Sequence, residues 1–191
     1  IINKYLDKGY KKLSSLTNKK FKDITPTEMD LIVPSIKSDQ SGNLKPMLAK
    51  DFNKCKNSVL DKPMLVSRKL NGVRCMMRLD GDNIITISRG GKNYDVSTQK
   101  IRPELVDYLK EHPTYILDGE LYCHGKHLQE LSGIARNETW KDKCDILEYW
   151  IYDIALDTVE FKDRLTILQE MQEIFKNSKK VKVIDHYLTK S

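Results

Sequence analysis

The chain has 191 residues, of which 39% are hydrophobic, and this content suffices for a domain with a buried core. Its 33 lysine and arginine residues against 27 aspartate and glutamate residues give a net charge of +6, which favours polyanionic partners such as nucleic acid. No apolar run approaches the ~20 residues of a membrane-spanning helix, no signal-peptide pattern begins the chain, and the four scattered cysteines argue against a disulfide framework. We therefore expect no membrane association and a cytoplasmic or nuclear protein that is not secreted.

The first 44 residues predict a basic helical extension that ends in a linker. Residues 1–20 are rich in lysine and carry apolar side chains at the spacing of a short surface helix. Thr25-Pro26-Thr27-Glu28 has the pattern of a capping box, which predicts the start of a second helix. The polar stretch 35–45 is typical of a linker, so we divide the chain into residues 1–44 and 45–191.

The second part alternates short strands with helices. Strands are predicted at Pro63–Lys69, Val73–Asp80, Ile84–Ser88, Tyr115–Tyr122, Ile146–Ala155 and Val181–Ile184, and helices at Ile101–Glu111, His127–Arg136 and Phe161–Phe175. Asp80-Gly81-Asp82-Asn83 supplies a hairpin turn between the second and third strands. Strands joined by hairpins and interrupted by helices predict an α+β fold built on antiparallel sheet.

Lys69 ends one predicted strand, and the turn residues Asn71 and Gly72 lead to Arg74 on the next. A turn here brings the second strand back, so that the lysine amine and the guanidinium face one pocket. Lysine, with a pKa of ~10.4, is a poor nucleophile until desolvation or a nearby cation favours the neutral amine. The Arg74 guanidinium keeps its positive charge and can also bind a phosphate group. Taken alone, the segment is better explained as a hairpin with exposed basic residues.

Five other short segments of the sequence are considered together with the Lys69 segment, in chain order. They are Lys45-Pro46-Met47-Leu48-Ala49, Ser88-Arg89-Gly90-Gly91, Leu117-Asp118-Gly119-Glu120-Leu121, Trp150-Ile151-Tyr152-Asp153-Ile154 and Lys162-Asp163-Arg164-Leu165. Each has a purely structural explanation as a bulge, a core aromatic residue or a loop. In this order, however, they resemble the motifs of the covalent nucleotidyltransferases, which include ATP-dependent DNA ligases, RNA ligases and mRNA capping enzymes. Pro46-Met47-Leu48-Ala49 and the leucine after Asp-Gly-Glu favour the DNA ligases.

The resemblance to ATP-dependent DNA ligases implies an α+β, ATP-grasp-like adenylation domain with antiparallel sheets flanked by helices, incomplete at its C-terminus. It implies an enzyme that uses ATP and Mg²⁺ and seals nicks in duplex DNA during replication, repair or recombination, and we expect a monomer. Lys69 would attack the α-phosphate of ATP, expel pyrophosphate and form a lysyl-AMP intermediate.

The resemblance also assigns roles to other residues. Arg74 and Glu120 would contact the ribose or phosphate, Tyr152 would stack on adenine, and Arg89 would meet DNA phosphate. Glu120 is also a weak Mg²⁺ ligand candidate, and Asp118, on the same strand face, is a weaker one. The neighbours of the lysine that are expected to line the nucleotide pocket are Ser67, Arg68 and Leu70.

The sequence departs from the family pattern at three points. Asn71 stands where many members have aspartate, and Ser67 stands where many have a glutamate that reads the adenine amino group. The later family motifs, a Glu-Gly pair and a Lys-x-Lys strand, are not found before Ser191. We therefore expect this chain alone to adenylate weakly or not at all. Two alternatives stay open: an RNA ligase or capping guanylyltransferase, and a catalytically silent nucleic-acid-binding fragment.

Overall fold

The computed structural model of the protein describes residues 63–156 and 159–189. The predicted extension 1–44, the boundary that follows it and the Pro46-Met47-Leu48-Ala49 segment lie outside the described residues. In chain order the elements are β1 (Leu65–Ser67), β2 (Val73–Asp80), β3 (Asn83–Ser88), a 3-10 turn (Arg102–Leu105) leading into α1 (Val106–Glu111), β4 (Ile116–Tyr122), α2 (Leu128–Ala135), a 3-10 turn (Asp142–Ile146), β5 (Glu148–Ile154), α3 (Phe161–Phe175), β6 (Val181–Val183) and β7 (His186–Leu188).

The central sheet has five strands in the order β3-β2-β4-β5-β6. β2 pairs antiparallel with β3 and β4, and β4 pairs antiparallel with β5, in agreement with the predicted α+β fold. The pairing of β5 with β6 is parallel, which the prediction of antiparallel sheets did not include. α3 connects these two strands, and a parallel pair requires a long crossover of this kind.

A second, two-stranded sheet joins the ends of the described chain. β1 pairs antiparallel with β7, so that Leu65 lies opposite Leu188 and Ser67 lies opposite His186. The sequence predicted a longer first strand, Pro63–Lys69, and did not predict β7. A three-residue strand shows too little alternation to stand out, and its partner is more than a hundred residues away. Because of this pairing, Lys69 lies two residues beyond the end of a short strand.

The hydrophobic core lies between the three helices and one face of the central sheet. Six core-facing residues of its central strands are fully buried, namely Cys75, Met77, Leu117, Leu121, Tyr149 and Ile151. Because successive strand residues alternate between faces, Arg74, Asp118 and Glu120 project from the opposite face. That second face carries the polar residues singled out from the sequence. In the part of the chain that the structure describes, no helix is long and apolar enough to cross a membrane.

Candidate active site

Asp118 is the centre of a polar cluster that joins three strands. Arg74 of β2 donates from Nε to Asp118 Oδ1 at 2.9 Å, and its Nη2 donates to Asp118 Oδ2. Tyr152 of β5 donates its hydroxyl to the same Oδ1 at 3.1 Å. The Arg74 guanidinium lies 5.6 Å from the centre of the Tyr152 ring. The cluster therefore fixes the orientation of both the cation and the aromatic ring.

Burial sets the protonation behaviour of this cluster. Burial alone lowers the pKa of Arg74, but its hydrogen bond to Asp118 and the Asp118 charge raise that pKa overall, so the guanidinium stays charged. Burial raises the pKa of Asp118, while the hydrogen bond and charge of Arg74 oppose the rise. Burial also raises the pKa of Tyr152, so its phenol keeps the proton that it donates. The pair is therefore coupled: removal of Arg74 would leave a buried carboxyl group without its counter-charge.

A β-bulge brings Tyr152 to this cluster. Gly119 lies opposite Ile151, whereas the preceding residue, Asp118, lies opposite Asp153, so Tyr152 is the extra residue on β5. A bulge of this kind redirects a side chain locally. Below it, Arg164 of α3 donates to both carboxylate oxygens of Asp153, at 2.7 and 2.8 Å, and both residues are buried. The Asp153–Arg164 pair thus anchors the bulge to the helix.

Glu120 is held by the turn that follows Lys69. The Gly72 backbone N–H donates to Glu120 Oε1 at 3.1 Å. A Cβ atom at Gly72 would lie 2.8 Å from Glu120 Cγ and still closer to the carbonyl oxygen of Leu121. Only glycine therefore allows the turn to lie this close to β4. Burial raises the pKa of Glu120, and the Gly72 hydrogen bond and the Lys69 and Arg74 charges oppose that rise.

Lys69 lies close enough to Glu120 for their charges to interact, but its side chain is exposed. The sequence predicted a desolvated lysine, and the described residues alone do not desolvate it. The reason is its position: the loop after β1 carries it to the polar face of the central sheet, which none of the helices described above covers. The charges of Lys69 and Arg74 both act on the Glu120 carboxylate, so both cations lie near this group.

The three neighbours of the lysine differ in exposure. Ser67 ends β1 opposite His186 and is exposed, as is Arg68. Leu70 is only 9% exposed. Its burial anchors the loop between Lys69 and Gly72 on the domain.

Arg89 lies outside the cluster, at the tip of a hairpin. Gly91 (φ 79°) donates its N–H to the Ser88 carbonyl at 3.0 Å, and the Ser88 N–H donates to the Lys92 carbonyl at 2.8 Å. These bonds close a three-residue loop with a left-handed glycine. Arg89 is exposed on this loop and forms no ion pair with any described acidic residue. Its guanidinium is therefore accessible to a ligand at the rim.

The described residues do not by themselves form a magnesium site. Among residues 63–156 and 159–189, no group of three or more histidine, cysteine, aspartate or glutamate side chains is suited to hold a metal ion. Glu120 accepts a hydrogen bond from Gly72 and faces two cations, and Asp118 is occupied by Arg74. This donor set does not fit a protein-held Mg²⁺ ion, which usually takes one or two unpaired carboxylates together with substrate phosphates.

Two residues of the arrangement were not foreseen as functional from the sequence. Asp118 was considered only as a metal ligand, although it holds Arg74 and Tyr152, and the role of Asp153 was not considered. Their chemistry could have indicated these roles, because an aspartate within an apolar strand needs a cationic partner and the sequence offers Arg74 and Arg164. Sequence alone does not show which arginine faces which aspartate.

Comparison with known proteins shows the family of this chain. The family model described as ATP dependent DNA ligase domain matches residues 46–191. The DNA ligase of a warthog isolate of African swine fever virus from Namibia is 35% identical over 117 residues, which are 59% of this chain and 27% of that protein. The DNA ligase of a Kenyan pig isolate is 34% identical over 116 residues, with the same coverage. The chain thus matches about a quarter of the length of these relatives.

Solved structures share the fold. The structure named Pmar-Lig_Pre has a TM-score of 0.53 and 18% identity, covering 70% of this chain and 33% of that one. The ATP-dependent DNA ligase from bacteriophage T7 in complex with ATP has a TM-score of 0.50 and 17% identity, covering 70% of this chain and 51% of that one. The predicted fold class and the predicted resemblance are both confirmed. The chain belongs to the family of ATP-dependent DNA ligase domains.

Proposed function

We propose that this chain is the nucleotide-binding part of an enzyme that seals nicks in duplex DNA, and that Lys69 is the residue that becomes adenylated. The observation that carries the proposal is the position of the lysine loop. Through its Gly72 N–H the loop is bonded to Glu120, on the face where Arg74, Asp118 and Tyr152 form one cluster. The bacteriophage ligase that shares the fold was solved with ATP, which supports ATP as the nucleotide here.

The chemistry begins at Lys69 Nζ. The exposed ammonium loses a proton to water, and the neutral amine attacks the α-phosphorus of ATP. A P–N bond forms as the bond from the α-phosphorus to the bridging oxygen breaks, and pyrophosphate departs in line with the attack. The AMP group then passes to the 5′-phosphate at the nick, and the 3′-hydroxyl displaces AMP as the phosphodiester forms.

The described residues leave Lys69 open to solvent, and a bound nucleotide would cover it. Lys69 is exposed, and one side of it faces Glu120. A bound nucleotide that rests on Tyr152 and reaches Glu120 with its ribose would cover the other side. Lys69 is then shielded from water on both sides while its amine lies beside the α-phosphate.

The remaining side chains bind and orient. The Tyr152 ring offers a stacking face, and its hydroxyl bond to Asp118 fixes the position of the far end of the ring. Glu120 keeps lone pairs for a ribose hydroxyl, and Arg74, held by two bonds to Asp118, presents a fixed cation to ribose or phosphate. Ser67, Arg68 and Leu70 would line or support the pocket.

Arg89 and magnesium complete the proposal. Arg89, exposed at a hairpin tip without a described acidic partner, would contact DNA phosphate. Mg²⁺ would arrive bound to the triphosphate, because Arg74 already occupies the Asp118 carboxyl group and Glu120, which accepts a bond from Gly72, is at most one weak ligand.

A nick-sealing assay tests the proposal. The full-length protein is incubated with ATP, Mg²⁺ and duplex DNA that carries a nick with a 5′-phosphate, and sealed product is measured. We expect sealing by the wild type and by Lys110→Ala, a control that removes an exposed lysine from α1, and no sealing by Lys69→Ala. Sealing by Lys69→Ala contradicts the proposal. Sealing of nicked RNA alone, or labelling by GTP in place of ATP, would instead indicate an RNA ligase or a capping enzyme.

A further inference from the structure

Tyr149 is a fully buried residue on the core side of β5, beneath the polar face. Its hydroxyl lies 3.1 Å from the carbonyl oxygen of Cys75 and 3.0 Å from that of Leu117, and the two carbonyls share its single proton. These carbonyls belong to β2 and β4. A side chain that starts on β5 therefore reaches past β4 to β2.

The two carbonyls adjoin the residues of the candidate site. Cys75 follows Arg74, and Leu117 precedes Asp118. One hydroxyl on the core side thus joins the two backbone segments whose side chains form the ion pair on the polar side. Burial raises the pKa of Tyr149 well above its ordinary value, so the hydroxyl keeps the proton for these bonds.

Gly119 provides the space for this contact. A Cβ atom there would lie 2.7 and 2.8 Å from two ring carbons of Tyr149 and 2.6 Å from the carbonyl oxygen of Trp150. Gly119 is not among the glycines with positive φ, so backbone conformation does not require glycine here. The glycine between Asp118 and Glu120 is required because the tyrosine ring and the Trp150 carbonyl oxygen both lie directly against it.

We propose that Tyr149 is a positioning residue for adenylation: by bonding Cys75 and Leu117 it sets β2 against β4, and so holds Arg74 and Asp118 in the arrangement that receives the nucleotide. The proposal rests on the function proposed above. Tyr149 touches neither nucleotide nor lysine, and its effect passes entirely through the ion pair.

Tyr149→Phe removes the hydroxyl and leaves the ring. In the full-length protein we expect the single-turnover rate of lysyl-AMP formation to fall about tenfold, equivalent to ~1.4 kcal/mol, at a temperature well below the unfolding midpoint of every variant. Tyr108→Phe, which alters a tyrosine of the same core on α1, is the matched control and should keep the wild-type rate. Gly119→Ala adds a Cβ atom that meets the Tyr149 ring and the Trp150 carbonyl oxygen, and it should also slow adenylation.

A double-mutant cycle separates positioning from general stability. If Tyr149 acts through the ion pair, Tyr149→Phe should lose most of its effect on the adenylation rate when Asp118 is already asparagine. Its effect on the unfolding midpoint should persist in that background. Equal rate effects in both backgrounds, or a wild-type rate for Tyr149→Phe, overturn the proposal. A wild type that forms no adduct with ATP refutes the proposed function instead.

Discussion

Gly72→Ala tests the most restrictive contact of the site. The added Cβ would lie 2.8 Å from Glu120 Cγ, whereas ordinary contacts begin at 3.4 Å, so the two must separate by about 0.6 Å (3.4 − 2.8). The Leu121 carbonyl oxygen is closer still and belongs to the central strand, so the loop must move rather than the sheet. Movement of the loop weakens the bond from the Gly72 N–H to Glu120 and displaces Lys69.

The closer contact sets the displacement: the added Cβ would lie 2.4 Å from the Leu121 carbonyl oxygen, so the loop must move by about 1 Å to reach the ordinary distance of 3.4 Å. A misplacement of about 1 Å at a reacting group costs ~100-fold in rate, or ~2.7 kcal/mol. We therefore expect lysyl-AMP formation by full-length Gly72→Ala to fall by roughly two orders of magnitude, measured in a single turnover with labelled ATP. Because Gly72 lies in a half-exposed loop, the unfolding midpoint should change little.

Gly133→Ala is the matched control. It adds the same methyl group in α2, where a Cβ meets nothing within 4 Å, and alanine favours a helix by ~1 kcal/mol over glycine. This variant should adenylate at the wild-type rate with equal or higher stability. A Gly72→Ala variant within threefold of the wild-type rate would refute the steric reasoning.

Three further predictions concern charges. Arg74→Ala leaves the buried Asp118 carboxyl group unpaired and should lower the free energy of unfolding by about 3 kcal/mol, measured by urea titration; a loss below 1 kcal/mol would contradict the coupling of the pair. Burial raises the pKa of Glu120 above its ordinary value of 4.5, so the folded state binds the Glu120 proton more tightly than the unfolded chain does. The contribution of this proton to the free energy of unfolding is therefore lost as the pH rises above 4.5. Glu120→Gln should remove that part of the pH dependence in urea titrations, and an unchanged profile would show that Glu120 does not titrate as described. Arg89→Ala should weaken binding of nicked DNA and reduce the salt dependence of log K by about one phosphate contact, without change in the adenylation rate; an unchanged salt slope would exclude the contact.

Local sequence patterns predicted the strands, helices and turns that depend only on residues close together in the chain. The predicted strand Val73–Asp80 and helix Phe161–Phe175 have the same bounds in the structure. The hairpin turn is also confirmed: Asp80 pairs with Asn83, and Gly81 has a φ of 59°. The alternation of a strand, the periodicity of a helix and the residue types of a turn are properties of neighbouring residues, so they can be recognised in a single sequence.

Features that depend on distant partners were not predictable in this way. The pairing of β1 with β7, the parallel β5–β6 pair and the bulge at Tyr152 all arise from the register between separate segments. The start of β5 shows a related limit, because Asp142–Ile146 forms a 3-10 turn and the strand begins only at Glu148. An apolar residue such as Ile146 fits either conformation until its neighbours are known.

The same distinction between local and long-range features applies to the candidate site. Residue types singled out Lys69, Arg74, Glu120 and Tyr152 as candidates, because the segments that contain them resemble the family motifs. The mutual contacts of the group, with Asp118 at their centre, required the three strands to be assembled. The exposure of Lys69 likewise depends on the open side of the sheet and has no signature in its own segment.

Mapping the nucleotide adduct tests the central claim most directly. The full-length protein is incubated with ATP and Mg²⁺, digested, and examined by tandem mass spectrometry for a peptide heavier by one AMP group. We predict a single adduct, on Lys69 Nζ, that is absent from Lys69→Ala and unaffected in Lys110→Ala. An adduct on another residue, or none at all in a preparation that binds ATP, would contradict the assignment of Lys69 as the nucleophile.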